Sequence, residues 1–308
     1  MRKLSNLNIM KTFFGTIHFI KRCLKYFIHE INAYYINFRM QLLYRKKTNE
    51  YAETGDTLFW VPGGMIMMLH LEAMVAAALK LRGNKVHAII CDGVYSACVK
   101  REITNNEDMT DWSKNCSSCK KECSLHLDSM GISYSYVGDY INASEKKQLR
   151  NLSKNQNWSS VRSLTYEGIN IGKNIHSSII RYLKGYEVPD SKQLVEEYTY
   201  SGYVCALASN RVLDIFKPER VFMSHGCYVD WGPALQNTMK RNIQLTAWMV
   251  SYLPARFYFR NVEDLNRIDI HNITKKTWDK TISKDLDVHE NEMLDKYLEA
   301  RYQLNVSF

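Results

Sequence analysis

The stretch LFWVPGGMIMMLHLEAMVAAALKLRGNKVHAIICDG, residues 58–93, constrains the fold more than any other part of the chain. It runs from a short apolar segment through a Gly63-Gly64 turn and an Ala- and Leu-rich run into a second apolar segment, the order of a βαβ unit. The pattern predicts a strand over Thr57 to Val61 and a helix over Met68 to Leu81 that is stopped by "RGN". A second buried strand follows over Lys85 to Cys91. Gly131 to Val137 predicts a third strand. Arg220 to Ser224, a helix over Pro233 to Arg241, and Gln244 to Val250 repeat the alternation. Strand alternating with helix means an α/β fold, a Rossmann-like parallel sheet with helices on both faces. There is no internal repeat and no low-complexity tract.

A dinucleotide-binding turn requires G-x-G-x-x-G at the start of the helix and an acidic residue ending the second strand. The turn here reads PGGMIMM, and only Asp92 has a counterpart, so the fingerprint is not met. Gly63 and Gly64 still bring backbone to the C-terminal edge of the sheet, the usual ligand crevice of an open α/β fold. His70 and Glu72 lie just beyond, although His70 equally reads as a surface histidine.

Two regions are expected: a basic amphipathic helical arm over 1–50 and a Rossmann-like lobe over 51–308, joined through the polar stretch KKTNEYAETGD. The arm holds ten Lys and Arg against Glu30 and Glu50, so it carries eight of the nine net positive charges. A charge that local argues against a nucleic-acid-binding face on the lobe. Within the arm Met10, Phe13, Phe14, Ile17, Phe19, Leu24, Phe27, Ile28, Ile31, Tyr34, Tyr35 and Phe38 recur at helical spacing among the basic residues. Its longest uncharged run, TFFGTIHFI, is far short of the roughly 20 residues that span a bilayer. Lys21, Arg22 and Lys25 break the pattern of a secretory signal. The helix is expected either to pack on its own lobe or to dock on an anionic membrane surface, giving a cytoplasmic protein, peripheral on the inner face of the membrane.

Eight cysteines in 308 residues are too few for a disulfide scaffold. Five cluster in CDGVYSAC and NCSSCKKEC: Cys91, Cys98, Cys116, Cys119 and Cys123. Cys116 and Cys119 have the C-x-x-C spacing that puts two thiolates on one metal, and Cys91 with Cys98 would complete a four-thiolate site for zinc or an iron–sulfur centre. The other reading is cysteines that pack as small apolar groups, the role expected of Cys205 and Cys23.

The ordered segments HLEAMVAAALKLRGNKVHAIICDGVYSAC, YEGINIGKNIHSSIIRY and FKPERVFMSHGCYVDWGPALQNTMKRNIQLTAW resemble the N-terminal, acceptor-side lobe of bacterial GT-B glycosyltransferases. The resemblance is to enzymes of capsular and surface polysaccharide biosynthesis and spans about Thr57 to Trp248. It implies transfer of a sugar from a nucleotide-sugar donor to a polysaccharide or lipid-linked acceptor. GT-B enzymes place the donor contacts in a second lobe, and the sequence ends at Phe308 after a helix of the kind that leads into one. A donor lobe in a longer chain or in a partner chain is therefore expected.

Sugar transfer needs a proton acceptor, and His225 is the first candidate, because it follows the apolar strand RVFMS and Gly226 turns the backbone there. His70 and Glu72 are the other catalytic candidates. Gly63, Gly64, Tyr166, Glu167, Arg181, Gly226 and Tyr228 are expected to contact substrate, with Arg181 suited to an acidic sugar or a phosphate. The plainer readings are a helix-surface Arg181, a Tyr166–Glu167 pair that braces the next helix, and a His225 that only bonds its turn. The alternative from another class is a non-catalytic binding subunit that carries zinc or an iron–sulfur centre at Cys91, Cys98, Cys116 and Cys119.

Overall fold

The computed structural model describes residues 28, 31–32, 34–44, 55–63, 65–103, 113–185, 192–251, 256–262 and 275–302. The chain divides into two compact units, Met1–Ile268 and Asp269–Phe308. The second holds α10 (Lys275–Ile282) and α11 (Val288–Tyr302), with the start of α11 capped by Asp287 and Glu290, each bonding the other's backbone N–H.

The first unit follows the expected alternation. A helical segment over 34–44, α1, precedes β1 (Asp56–Trp60), α2 (Ile66–Leu81), β2 (Lys85–Ile90), α3 (Val99–Ile103), α4 (Cys116–Ser129) and β3 (Ser133–Tyr136). Next come α5 (Ala143–Ser153), α6 (Trp158–Val161), the short hairpin β4 (Thr165–Tyr166) and β5 (Ile169–Asn170), α7 (Gly172–Tyr182) and α8 (Lys192–Phe216). The unit finishes with β6 (Arg220–Ser224), α9 (Gly232–Lys240), β7 (Gln244–Val250) and β8 (Phe257–Asn261). Six strands form one sheet in the order β3-β2-β1-β6-β7-β8. All are parallel except β8, which runs antiparallel to β7. The link from Val250 to Phe257 is too short for the crossover that a parallel partner needs, and that length forces the reversal.

The registers put Phe59 between Ala88 and Phe222 in the middle of the sheet. On one face Leu69, Ala73, Ala76 and Ala77 of α2 pack with Phe59, Ile90, Leu127 and Trp248. These positions recur at helical spacing, and the alanines let α2 lie close to the sheet. The helix ends where the N–H groups of Arg82 and Gly83 turn back to the carbonyls of Leu79 and Lys80. The 25-residue α8 was not expected from the sequence. It is buried almost continuously from Tyr198 to Ser209, and two of its buried hydroxyls bond within the helix: Ser201 and Ser209 donate to the carbonyls of Glu197 and Ala206.

The arm helix α1 turns one side to the unit. Met40 packs against the core cluster, Asn37 donates to the carbonyl of Asp128, and buried Tyr44 donates to Met130 O at 2.6 Å. Its other side, with Tyr34, Tyr35, Phe38 and Leu42, is exposed, as is Ile31 before it. The rest of the expected arm lies outside the described residues. Among the described residues no helix is long and apolar enough to cross a membrane.

Candidate functional site

The strand order places the topological switch between β1 and β6, because β2 and β3 wind to one side of β1 and β6 and β7 to the other. The C-terminal ends of these two strands diverge into a crevice, the usual ligand position in an open α/β sheet. It is lined by Pro62 and Gly63 after β1, by Cys91, Gly93, Tyr95 and Cys98 after β2, and by Lys100 and Arg101 of α3. Asn115, Cys116 and Cys119 at the start of α4, with Asp230 after β6, close it.

The two glycine turns set how near α4 comes. Gly63 and Gly93 both have a left-handed backbone, φ +91° and +99°. A Cβ at Gly63 would sit 3.1 Å from Cys123 Sγ and 3.7 Å from Cys119 Sγ, and one at Gly93 3.1 Å from Cys116 Cβ. Cys116, Cys119 and Cys123 therefore form one face of α4 that fills the space left by absent side chains. Arg101 ties the loop together: one guanidinium nitrogen donates to Ser96 O, the other to Gly93 O at 3.5 Å and to Cys116 Sγ at 2.9 Å. Ser96 Oγ in turn donates to Glu197 O at 2.9 Å, which anchors the loop on α8. On the opposite wall Asp230 O accepts from Trp60 Nε1 at 2.8 Å, locking the β6 loop to β1.

The thiols fall into two groups. Burial pushes Cys91 up to about 12 and Cys98 well above the ordinary thiol range, with Asp230 adding to the rise at Cys98. These two therefore keep their protons. Cys116 is the first residue of the 14-residue α4, and its sulfur accepts from Arg101 Nη2.

The expected site residues separate. Arg181, His225 and Tyr228 do come together: the Arg181 guanidinium lies 4.5 Å above the Tyr228 ring, whose centroid is 5.0 Å from the His225 ring. His225 also meets Trp231 at 4.9 Å, and its backbone N–H bonds Trp248 O. Gly226 turns the chain with Leu235 occupying the place of a side chain. Gly63 and the four cysteines line the crevice, whereas Gly64 lies outside the described residues.

The others go elsewhere. His70 is exposed and meets His126 of α4 with the rings tilted by 42° and their centroids 4.2 Å apart. Glu72 is 2% exposed and accepts from Trp248 Nε1 at 2.9 Å and from the backbone of Ser224. Burial raises it to about 8 against those two bonds, so it is a neutral carboxylic acid in the core at pH 7. Tyr166 and Glu167 form the β4–β5 hairpin: Glu167 accepts from Asn210 Nδ2 at 3.0 Å, its carbonyl accepts from Lys240 Nζ at 2.8 Å, and Tyr166 edges Tyr203. Asp92, the one residue matching a dinucleotide fingerprint, accepts instead from Gly138 N–H at 3.2 Å. Sequence reasoning passed over Lys100, Arg101, Asn115 and Asp230. The basic pair Lys100-Arg101, two residues after Cys98, was the available signal.

No family model and no curated protein matches this chain. Solved structures similar to it include a cyclodipeptide synthase from Fluoribacter dumoffii, at 12% identity over 70% of this chain and 94% of that one, TM-score 0.41. A cyclodipeptide synthase from Bacillus thermoamylovorans matches at 8% identity over 72% and 92%, TM-score 0.38. The zinc-inhibited form of teicoplanin deacetylase Orf2 matches at 13% identity over 63% and 66%, TM-score 0.32. These are synthases and a deacetylase, not GT-B glycosyltransferases. The expected family is corrected accordingly, and so are sugar transfer from a nucleotide sugar and a place in capsular or surface polysaccharide biosynthesis.

The binding subunit held by zinc or an iron–sulfur centre is corrected as well. Among the described residues no three His, Cys, Asp or Glu side chains are grouped so as to hold a metal ion. Cys116, Cys119 and Cys123 share one face of α4 that lies against the turns at Gly63 and Gly93.

Proposed function

We propose that the chain binds a small molecule through an anionic group, phosphate or carboxylate, in the crevice between the ends of β1 and β6. The observation that carries this reading is the meeting of Lys100 and Arg101 with the start of α4 at the sheet's switch point. A helix start offers backbone N–H groups and a positive dipole end, and a guanidinium adds directed donors.

Inorganic pyrophosphate is a suitable probe. It should raise the melting temperature of the protein in a concentration-dependent way. Lys100→Glu, which reverses a charge on the crevice wall without touching the Arg101 bonds, should weaken the effect about tenfold or more. Equal stabilisation of both proteins would remove the proposal.

We infer further that α1 rests on an anionic membrane surface. Its exposed stripe of Tyr34, Tyr35, Phe38 and Leu42, with Ile31 before it, is apolar and aromatic, and the first 50 residues carry ten basic side chains against two acidic ones. The opposite side of the same helix is already committed to the core through Tyr44 and Met40, so the stripe is available for a second surface.

A further inference from the structure

We propose that Cys116 and Cys119 are a thiol–disulfide exchange pair, with Cys116 the attacking sulfur and Cys119 the resolving one, acting on disulfides that enter the crevice. Both line the crevice wall. They stand one turn apart at the beginning of α4, Cys116 being its first residue. Arg101 Nη2 donates to Cys116 Sγ at 2.9 Å, so a cation directly faces this sulfur at the start of the helix. The thiols of Cys91 and Cys98, across the crevice, are held protonated by burial and compete poorly for a disulfide.

The backbone supports closure of the pair. Residues 113–115, just before α4, form a 3₁₀ turn. Residues three apart on an α-helix are neighbours on one face, about 5–6 Å between Cβ atoms, and Cys116 and Cys119 stand so on α4. The turns at Gly63 and Gly93 carry no side chain between these sulfurs and the sheet edge.

The exchange balances. The Cys116 thiolate attacks one sulfur of a small disulfide RSSR, forms a mixed disulfide and expels one RS⁻, which takes up the proton Cys116 gave up. The Cys119 sulfur then attacks Cys116, closes the intramolecular bond and expels the second RS⁻, which takes the Cys119 proton. Two electrons and two protons pass from the protein to RSSR, which leaves as two thiols.

The test uses the full chain, reduced and then exposed to oxidised glutathione. Trypsin cuts after Lys114 and Lys120 and so releases Cys116 and Cys119 on one peptide with no other cysteine. In the unmodified protein that peptide should lose two hydrogens and carry no glutathione. In Cys119→Ser it should retain glutathione on Cys116, and in Cys116→Ser it should stay unmodified at early times. Cys123→Ser should behave as the unmodified protein. Stable glutathione on Cys116 of the unmodified protein would overturn the pairing, and first modification at Cys119, Cys123 or Cys227 would overturn Cys116 as the nucleophile. Circular dichroism of each serine variant excludes unfolding as the cause, and the Lys100→Glu variant separates this chemistry from anion binding. If Lys100→Glu loses pyrophosphate binding yet closes the disulfide, the exchange pair stands by itself.

Discussion

Glu72 shows how a residue that reads as catalytic in sequence can be structural in the fold. Two residues after His70 and close to a Gly-Gly turn, it has the position of an active-site acid. The helix, however, turns it inward, and Trp248 and Ser224 bond it in the core. A carboxyl with no counter-charge in such a place keeps its proton, and burial sets its pKa near 8 against 4.5 when unfolded. The folded protein then holds a proton that the unfolded chain gives up, so this contribution to stability is whole below pH 4.5. It diminishes from there upward and is lost as pH rises through about 8. The melting temperature should accordingly fall between pH 5 and pH 8.5. Glu72→Gln keeps an acceptor for the Trp248 indole and should flatten that fall, becoming the more stable protein at the alkaline end. Parallel melting curves that keep the same separation across this range would show that the residue does not titrate with folding.

At the scale of elements, the strands and the helices flanking them were legible, because periodicity two and periodicity 3.6 survive in short apolar runs such as RVFMS and QLTAWMV. Three kinds of element were not. The middle of α8, Tyr198 to Ser209, is a buried run of Tyr, Ser, Gly and Ala among others, so it has no polar face from which a helical stripe can be read. The antiparallel β8 follows from loop length, which a search for alternating strands and helices does not weigh. The C-x-x-C of α4 reads as a metal motif because spacing alone does not reveal that glycine turns lie opposite it. Half of the crevice was legible for the same reason: Gly63 and the cysteines stand out by type, whereas Lys100, Arg101 and Asp230 reach the site only through the crossing of β1 and β6.

The arm helix belongs to this scale too, since its two sides do different work. Replacing Tyr34, Tyr35, Phe38 and Leu42 together by Ser leaves Tyr44 and Met40 in place, so the melting temperature should change little. Cosedimentation with vesicles containing phosphatidylserine should drop by about tenfold or more, given roughly 25 cal/mol for each Å² of apolar surface removed from water. Undiminished cosedimentation of the folded variant would contradict a membrane role for this stripe.

Taken as a whole molecule, the first unit is a doubly wound sheet whose single switch point coincides with its basic, thiol-lined crevice. Everything around that point is braced: the β2 loop through Arg101 and Ser96, the β6 loop through Trp60, and α4 by its cysteine face. Bracing of this kind holds donors in position before a ligand arrives, which reduces the ordering cost of binding. The expected nucleotide-sugar chemistry fell, but the place where sequence reasoning looked for a ligand, the C-terminal edge beside the Gly63 turn, is where the crevice lies. The measurement that tests this most directly is the mapping of backbone amide resonances during titration with inorganic pyrophosphate. Saturable shifts concentrated at Gly93, Lys100, Arg101, Asn115 and Cys116 are expected. Saturable shifts centred elsewhere, or none at these five residues, would contradict it.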